Sequence, residues 1–209
     1  MDAQNVKEVF LKIGKTMKEN KDYLIELDAQ NGDGDLGLSM DNGFTSVNAF
    51  LSSFDEPDLG ALFMKIGGVF NESCSSSLGT ILSFGMMGMA RRLKGKTSAD
   101  LRELAEAFES GANTIMEKAG SKPGEKTVLD SLCPAIEALK NALSSDSNAL
   151  SAFLAAKNAA AQGSQSTRAM RSVHGRAAYY GDKSIGVLDG GSVAGKLIFD
   201  AIYSYLTDL

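Results

Sequence analysis

Along almost the whole chain, apolar residues recur at intervals of three and four. Val6, Phe10, Ile13 and Met17 form one such series; Met40, Phe44, Val47, Leu51 and Phe54 form a second; Leu59, Leu62, Phe63, Ile66 and Phe70 form a third. This spacing lines side chains along one face of a 3.6-residue helix. The segment from Leu78 to Leu93 is apolar on most sides, as a buried helix would be. Leu101, Leu104, Phe108, Ala112 and Ile115 continue the pattern, with Thr97 as the expected N-cap. Leu129, Leu132, Ile136, Leu139 and Leu143 come next, and Pro134 among them is expected to kink the helix or mark its first turns. Leu150, Phe153 and Leu154 open an alanine-rich helix reaching about Met170, and Val193, Leu197, Ile198, Ala201, Ile202 and Tyr205 mark the last one. That makes eight helical patterns, and no stretch alternates apolar with polar residues while rich in Val, Ile and Thr. Short links favour antiparallel neighbours. The expected fold is therefore all-α, an antiparallel eight-helix up-and-down barrel or bundle, with residues 1–209 as a single domain.

Charge and composition remove several classes of function. A net charge of -5 argues against a nucleic-acid surface, which needs a basic stripe. It does not argue against phosphate, because a bound cation can supply local positive charge. The two cysteines, Cys74 and Cys133, form no CxxC or Cys/His spacing, so neither a zinc site nor a disulfide framework is expected. A chain of this length can bury roughly 70% of its unfolded surface and needs no such staples. No apolar stretch reaches the ~20 residues of a membrane span, and the first residues lack the basic and apolar regions of a signal peptide. A cytoplasmic protein without membrane contact is the expectation. The single histidine, His174, excludes mechanisms that need two, and is itself read as structural or merely exposed.

Three breaks between helices are long and rich in glycine and polar residues: 28–37, 120–126 and 172–191. Long loops in a compact helical chain are more often functional than idle. The first reads Asp28-Ala29-Gln30-Asn31-Gly32-Asp33-Gly34-Asp35-Leu36-Gly37. Two carboxylates about 4 Å apart repel by about 4 kcal/mol at an effective dielectric near 20, and a cation removes that cost. The plainer reading is a solvated acidic turn in which Asp35 caps the next helix. Oxygen ligands alone imply a hard cation: magnesium, manganese or calcium. An EF-hand fails on spacing, since a loop starting at Asn31 puts Leu36 at the glycine position and Asn42 at the final glutamate. Three carboxylates short of a full cage suit magnesium, which keeps waters and shares its shell with phosphates.

Two further segments have a phosphate-binding reading beside a plain one. Ser73 to Thr80 is a hydroxyl-rich turn before a buried helix, suited to phosphate at free amides or simply to a serine N-cap. The loop from His174 to Ser192 carries Arg176, whose planar fork matches phosphate, and the Asp189-Gly190-Gly191 turn; an ordinary loop with a surface ion pair is the alternative. Gly124-Glu125-Lys126-Thr127 echoes a Walker loop but lacks its spacing and preceding strand, and reads as a turn feeding a helix capped by Thr127.

In this order the segments resemble the nucleotide-binding L subunit (DhaL, or DAK2-type domain) of dihydroxyacetone kinase. The matching pieces are Leu27-Asp28 with Gly32-Asp33-Gly34-Asp35 and Gly37; Pro123-Gly124-Glu125-Lys126-Thr127 with Asp130; Gly175-Arg176-Ala177 with Gly181 and Ser184-Ile185-Gly186; and Asp189 with Gly191. The resemblance implies a barrel of antiparallel helices. It implies that Asp28, Asp33 and Asp35 hold two magnesium ions bridging the phosphates of ADP or ATP. It implies nucleotide contacts from Leu36, Gly37, Leu38 and Ser39, from Ser75 and Ser76, from Arg176, and from Asp189 and Gly191. The implied partner is a K-type subunit that binds the ketose, with a phosphotransferase-type M subunit in forms where bound ADP is rephosphorylated in place. No general base is then needed in this chain. Leu36 stands where the family usually has histidine, the serine turn has no glycine before Gly79, and Gly190 replaces a proline. These departures motivate a second expectation: a regulatory nucleotide-binding module that acts on a transcription factor or another subunit without turnover.

Overall fold

The structure is a computed structural model that describes residues 1–209. It contains nine α-helices: α1 Ala3–Glu19, α2 Lys21–Asp28, α3 Leu36–Leu51, α4 Leu59–Ser73, α5 Ser77–Arg92, α6 Leu101–Ala119, α7 Leu129–Ser144, α8 Ala149–Ser166 and α9 Gly190–Thr207. Eight are the long helices that the apolar spacing predicts. There is no strand, only an isolated bridge between Asp2 and Ser98. No helix is long and apolar enough to cross a membrane.

The long helices run alternately up and down, each packed on the next in sequence, and α1 closes the ring against α9. Tyr205 near the end of α9 donates its hydroxyl to Glu8 at 2.9 Å and accepts from Asn5 at 3.3 Å. The side chains predicted to face inward do so: Val6, Phe10, Ile13 and Met17 of α1, and Leu59, Leu62, Phe63, Ile66 and Phe70 of α4, are all buried. Within the ring lies an apolar cavity of about 120 Å³ whose lining includes Phe10, Phe44, Leu82, Met86, Phe108 and Phe199.

The short α2 was not expected. It is eight residues long and buries only Leu24 and Leu27, too few turns to display a period. Thr97 is not the cap of α6. Asp100 takes that place: its side chain accepts the Glu103 amide at 2.8 Å while Glu103 returns a bond to the Asp100 amide, a complete capping box. Phe54, counted with α3, lies beyond the end of that helix and stacks on Phe50 at 4.4 Å from the following turn. α7 runs on through Pro134. The Asp130 carbonyl, which proline leaves without its helical donor, faces Gly163 of α8. Thr127 does not occupy the cap position of α7, which falls to Val128; its hydroxyl nonetheless accepts the Leu129 amide at 3.2 Å.

Candidate functional site

The alternation of the helices gathers the N-termini of α3, α5, α7 and α9 at one end of the barrel. Their junction is tight. A Cβ on Gly190 would lie 2.5 Å from Leu36 of α3, and Gly191 faces Leu78 of α5 and Val128 at the cap of α7. The acidic loop, the serine turn, the 120–128 link and the long loop before α9 therefore share one face.

Asp28 closes α2, Asp33 lies in the turn, and Asp35 occupies the cap position of α3. One carboxylate oxygen from each lies within 4.8 Å of the others. Two glycines make this possible. A side chain on Gly32 would place its Cβ 2.3 Å from Asp28 Oδ1, and Gly34 has φ +73°, open to glycine at little cost. The Gly34 amide donates to Asp28 Oδ2 at 2.8 Å. Asp35 makes no side-chain cap bond, so its carboxyl is not spent as the plainer reading requires. Burial raises its pKa, the charges of Asp33 and Asp28 raise it further, and Arg176 opposes them. Arg176 reaches across from the long loop and pairs with Asp33 at 2.8 Å. Three oxygen donors so placed fit a hard divalent cation, which would relieve the mutual repulsion registered by Asp35.

The remaining sequence-predicted residues divide by exposure. Leu36, Gly37 and Ser39 are buried in the first turn of α3, and Leu38 is exposed on its outer side. Ser75 is exposed, whereas Ser76 caps α5 by accepting the Gly79 amide at 3.2 Å. Asp189 caps α9, accepting the Ser192 amide at 2.6 Å. Burial pushes its carboxyl up to about 7, against the pull of the Ser192 bond and of Lys126, with Asp130 and Asp28 adding to the rise. Gly191 is half-buried beside it. The loop from 172 to 191 is not irregular throughout: Arg176–Ser184 forms 3-10 turns, broken at Gly181.

What the sequence reading missed is a staple between two loops. Lys126, taken for part of a plain turn, is buried, and its ammonium donates to the carbonyls of Ser184 at 2.5 Å, Val187 at 2.7 Å and Met170 at 3.2 Å. Its backbone is left-handed, φ +61°, at a cost of about 1–2 kcal/mol for a residue with a Cβ. Burial lowers its pKa, which nearby Asp189 resists. Asp130 braces the turn by accepting the Gly124 amide at 2.5 Å and the Thr127 amide at 2.7 Å. His174 has a structural place here: its Nε2 lies 2.7 Å from Glu125 Oε2, the bond that chiefly holds the Glu125 carboxyl below its usual range. The left-handed lysine in a Gly-Glu-Lys-Thr run carries no local signal for partners 44 to 61 residues away.

Comparison with known proteins adds a lineage to this geometry. Residues 30–204 match the DAK2 domain. The chain is 30% identical over 181 residues to the Escherichia coli PEP-dependent dihydroxyacetone kinase, ADP-binding subunit DhaL, covering 87% of this chain and 86% of that one. It is 30% identical over 210 residues to the ADP-binding subunit DhaL of Listeria innocua PEP-dependent dihydroxyacetone kinase 2, covering 99% and 96%. Among solved structures, the dihydroxyacetone kinase of C. freundii in complex with AMP-PNP and Mg2+ superposes with a TM-score of 0.77 at 23% identity, over 96% of this chain and 34% of that one.

Proposed function

The chain belongs to the DAK2 domain family, and from that premise we propose that it is the ADP- or ATP-binding subunit of a kinase for dihydroxyacetone or a related small ketose. The observation that carries the reading is the convergence of Asp28, Asp33 and Asp35 within 4.8 Å, at the end of the barrel where four helices begin. These three aspartates would hold two magnesium ions. The ions would neutralise the charge that about three carboxylates and about four phosphate charges would otherwise accumulate.

Phosphoryl transfer asks a protein for positioning and charge neutralisation more than for covalent help. Arg176 offers a guanidinium to the phosphates. The first turns of α3 (Leu36 to Ser39), α5 (after Ser75 and Ser76) and α9 (Asp189 and Gly191) offer amides and small side chains around the nucleotide. No general base is needed in this chain when the ketose is bound and activated on a K-type partner subunit. The names of the relatives support both the ketose and the donor: dihydroxyacetone kinases that are PEP-dependent, and an L-erythrulose 1-kinase of Mycolicibacterium smegmatis at 26% identity. The PEP-dependent relatives favour an M subunit that rephosphorylates bound ADP.

Calorimetric titration of magnesium-ADP tests the reading. Wild type binds, and Asp33→Ala does not. Absence of binding by wild type, or equal binding by the variant, overturns it. Adding a K-type partner, ATP, magnesium and dihydroxyacetone separates kinase from regulator: the kinase reading expects ketose phosphate to form, and the regulatory one expects none.

A further inference from the structure

The loop that carries Arg176 has almost no core of its own. Of the nine residues in Arg176–Ser184, only Ser184 is buried, and Tyr179 at the tip is 92% exposed. The loop is instead held at its feet. The Ser172 amide donates to Ser184 Oγ at 3.0 Å, and the Gly186 amide to the Arg168 carbonyl at 2.7 Å. Between these feet stands Lys126, 4% exposed, which takes one carbonyl from the incoming limb (Met170) and two from the outgoing limb (Ser184 and Val187).

An ammonium is suited to this place. It has three donors and no acceptor, so it can satisfy three carbonyls arriving from different directions. No carboxylate pairs with it directly. A left-handed, non-glycine backbone persists only where the surroundings impose it, and such strain gathers at ligand clamps.

We propose that Lys126 is a positioning residue for the nucleotide: by drawing both limbs of the loop together it sets where Arg176 stands over the acidic centre. The inference rests on the reading of Arg176 as a phosphate ligand. Glu125 adds a second tie from the same turn, through His174, so the 120–128 link governs the loop from below. Lys126 itself touches only backbone, and its effect on the nucleotide passes through Arg176.

A double-mutant cycle on the full chain tests this, with magnesium-ADP as the probe and calorimetry as the readout. Lys126→Met weakens binding about tenfold in the wild-type background and less than about twofold when Arg176→Ala is already present, because coupled residues do not act additively. Losses that multiply place the lysine's action elsewhere and overturn the proposal. In nucleotide-free Lys126→Met, hydrogen exchange at the Ser172 and Gly186 amides quickens at least about tenfold, while the Leu59 amide at the other end of the barrel is unchanged. Unaltered exchange in the loop also overturns it. Should Lys126→Met fail to fold, amine labelling of proteins that keep the lysine decides. Lys126 then labels more slowly than exposed Lys122, and magnesium-ADP slows it further in wild type but not in Arg176→Ala; equal rates for the two lysines, or the same slowing in both proteins, refute the clamp. A wild type that binds no magnesium-ADP strikes the function proposed above, whereas a wild type that binds with multiplying losses strikes only this inference.

Discussion

The two ends of the barrel differ in how far they use aspartates to cap helices. At the end away from the acidic loop, α1, α4, α6 and α8 begin at Asp2, Asp58, Asp100 and Asn148, and each of these side chains accepts an amide from the first turn of its helix. Two of them are complete capping boxes, and Asp58 also accepts the Gly95 amide at 2.8 Å. At the acidic end, α3 and α7 begin without a side-chain cap, and three aspartates face one another with one amide and one guanidinium among them. One end caps all four of its helices, whereas the acidic end caps α5 and α9 through Ser76 and Asp189 and leaves α3 and α7 without a side-chain cap. The aspartate before α6 closes a helix, while the aspartate before α3 is left free, so an acid preceding a helix does not by itself disclose its use.

The contrast predicts a separation between binding and stability. The strongest test is Asp33→Asn with Asp35→Asn. Magnesium-ADP binding by calorimetry should weaken by at least about 100-fold, near 2.7 kcal/mol. The thermal midpoint of the nucleotide-free protein should hold or rise slightly, since a repulsion is removed and the exposed Arg176 pair is worth little. A large fall in midpoint would mean that the acidic turn is built for the fold.

A pair of glycines sharpens the comparison at intermediate size. A Cβ on Gly37 would lie 2.1 Å from the Lys21 carbonyl, forcing α3 away from α2 and so Asp35 away from Asp28. A Cβ on Gly60, at the other end, would lie 2.5 Å from the Lys94 Cα. Alanine at either position should cost about 1–3 kcal/mol in denaturant unfolding, and only Gly37→Ala should also impair binding. The caps give the next step down. Asp100→Ala and Ser76→Ala should each cost about 1 kcal/mol, and of the two only Ser76→Ala should alter nucleotide affinity.

The last expected effect is a pH slope. The Asp189 carboxyl is raised to about 7 in the folded protein, so folding favours its protonated form. Its contribution is complete below the ordinary carboxylate range and is lost as pH climbs through about 7. The thermal midpoint of the nucleotide-free protein should fall between pH 5 and 7.5. Asp189→Asn, which preserves the cap, should flatten that slope; an unchanged slope would assign it to other groups.

Much of the fold was legible because the eight long helices bury continuous apolar faces, and a face of four or five turns repeats often enough to be read. α2 was not legible, since two buried leucines cannot define a period. The cap of α6 was misplaced because Thr97 and Asp100 both suit a helix start, and the choice between them is made by Glu103 three residues on. In the candidate site, the three aspartates were conspicuous by their spacing alone. Lys126 was not, because its partners are backbone carbonyls of a distant loop, and any sequence offers those. Closure of the ring by α1 and α9 is likewise a contact between the extremes of the chain, which local periodicity does not encode; the family resemblance implied a barrel, and the packing supplies the seam.

That seam has a practical consequence. Because α9 descends the height of the barrel beside α1, its last turn meets the first turns of α1, Tyr205 against Asn5 and Glu8, at the face opposite the aspartates. An 18-residue helix spans about 27 Å. A fluorophore, affinity handle or surface tether attached to an exposed side chain of that face, such as Asp208, should therefore sit a full helix length from the nucleotide, and immobilised protein would present its acidic face outward to whatever is flowed across it.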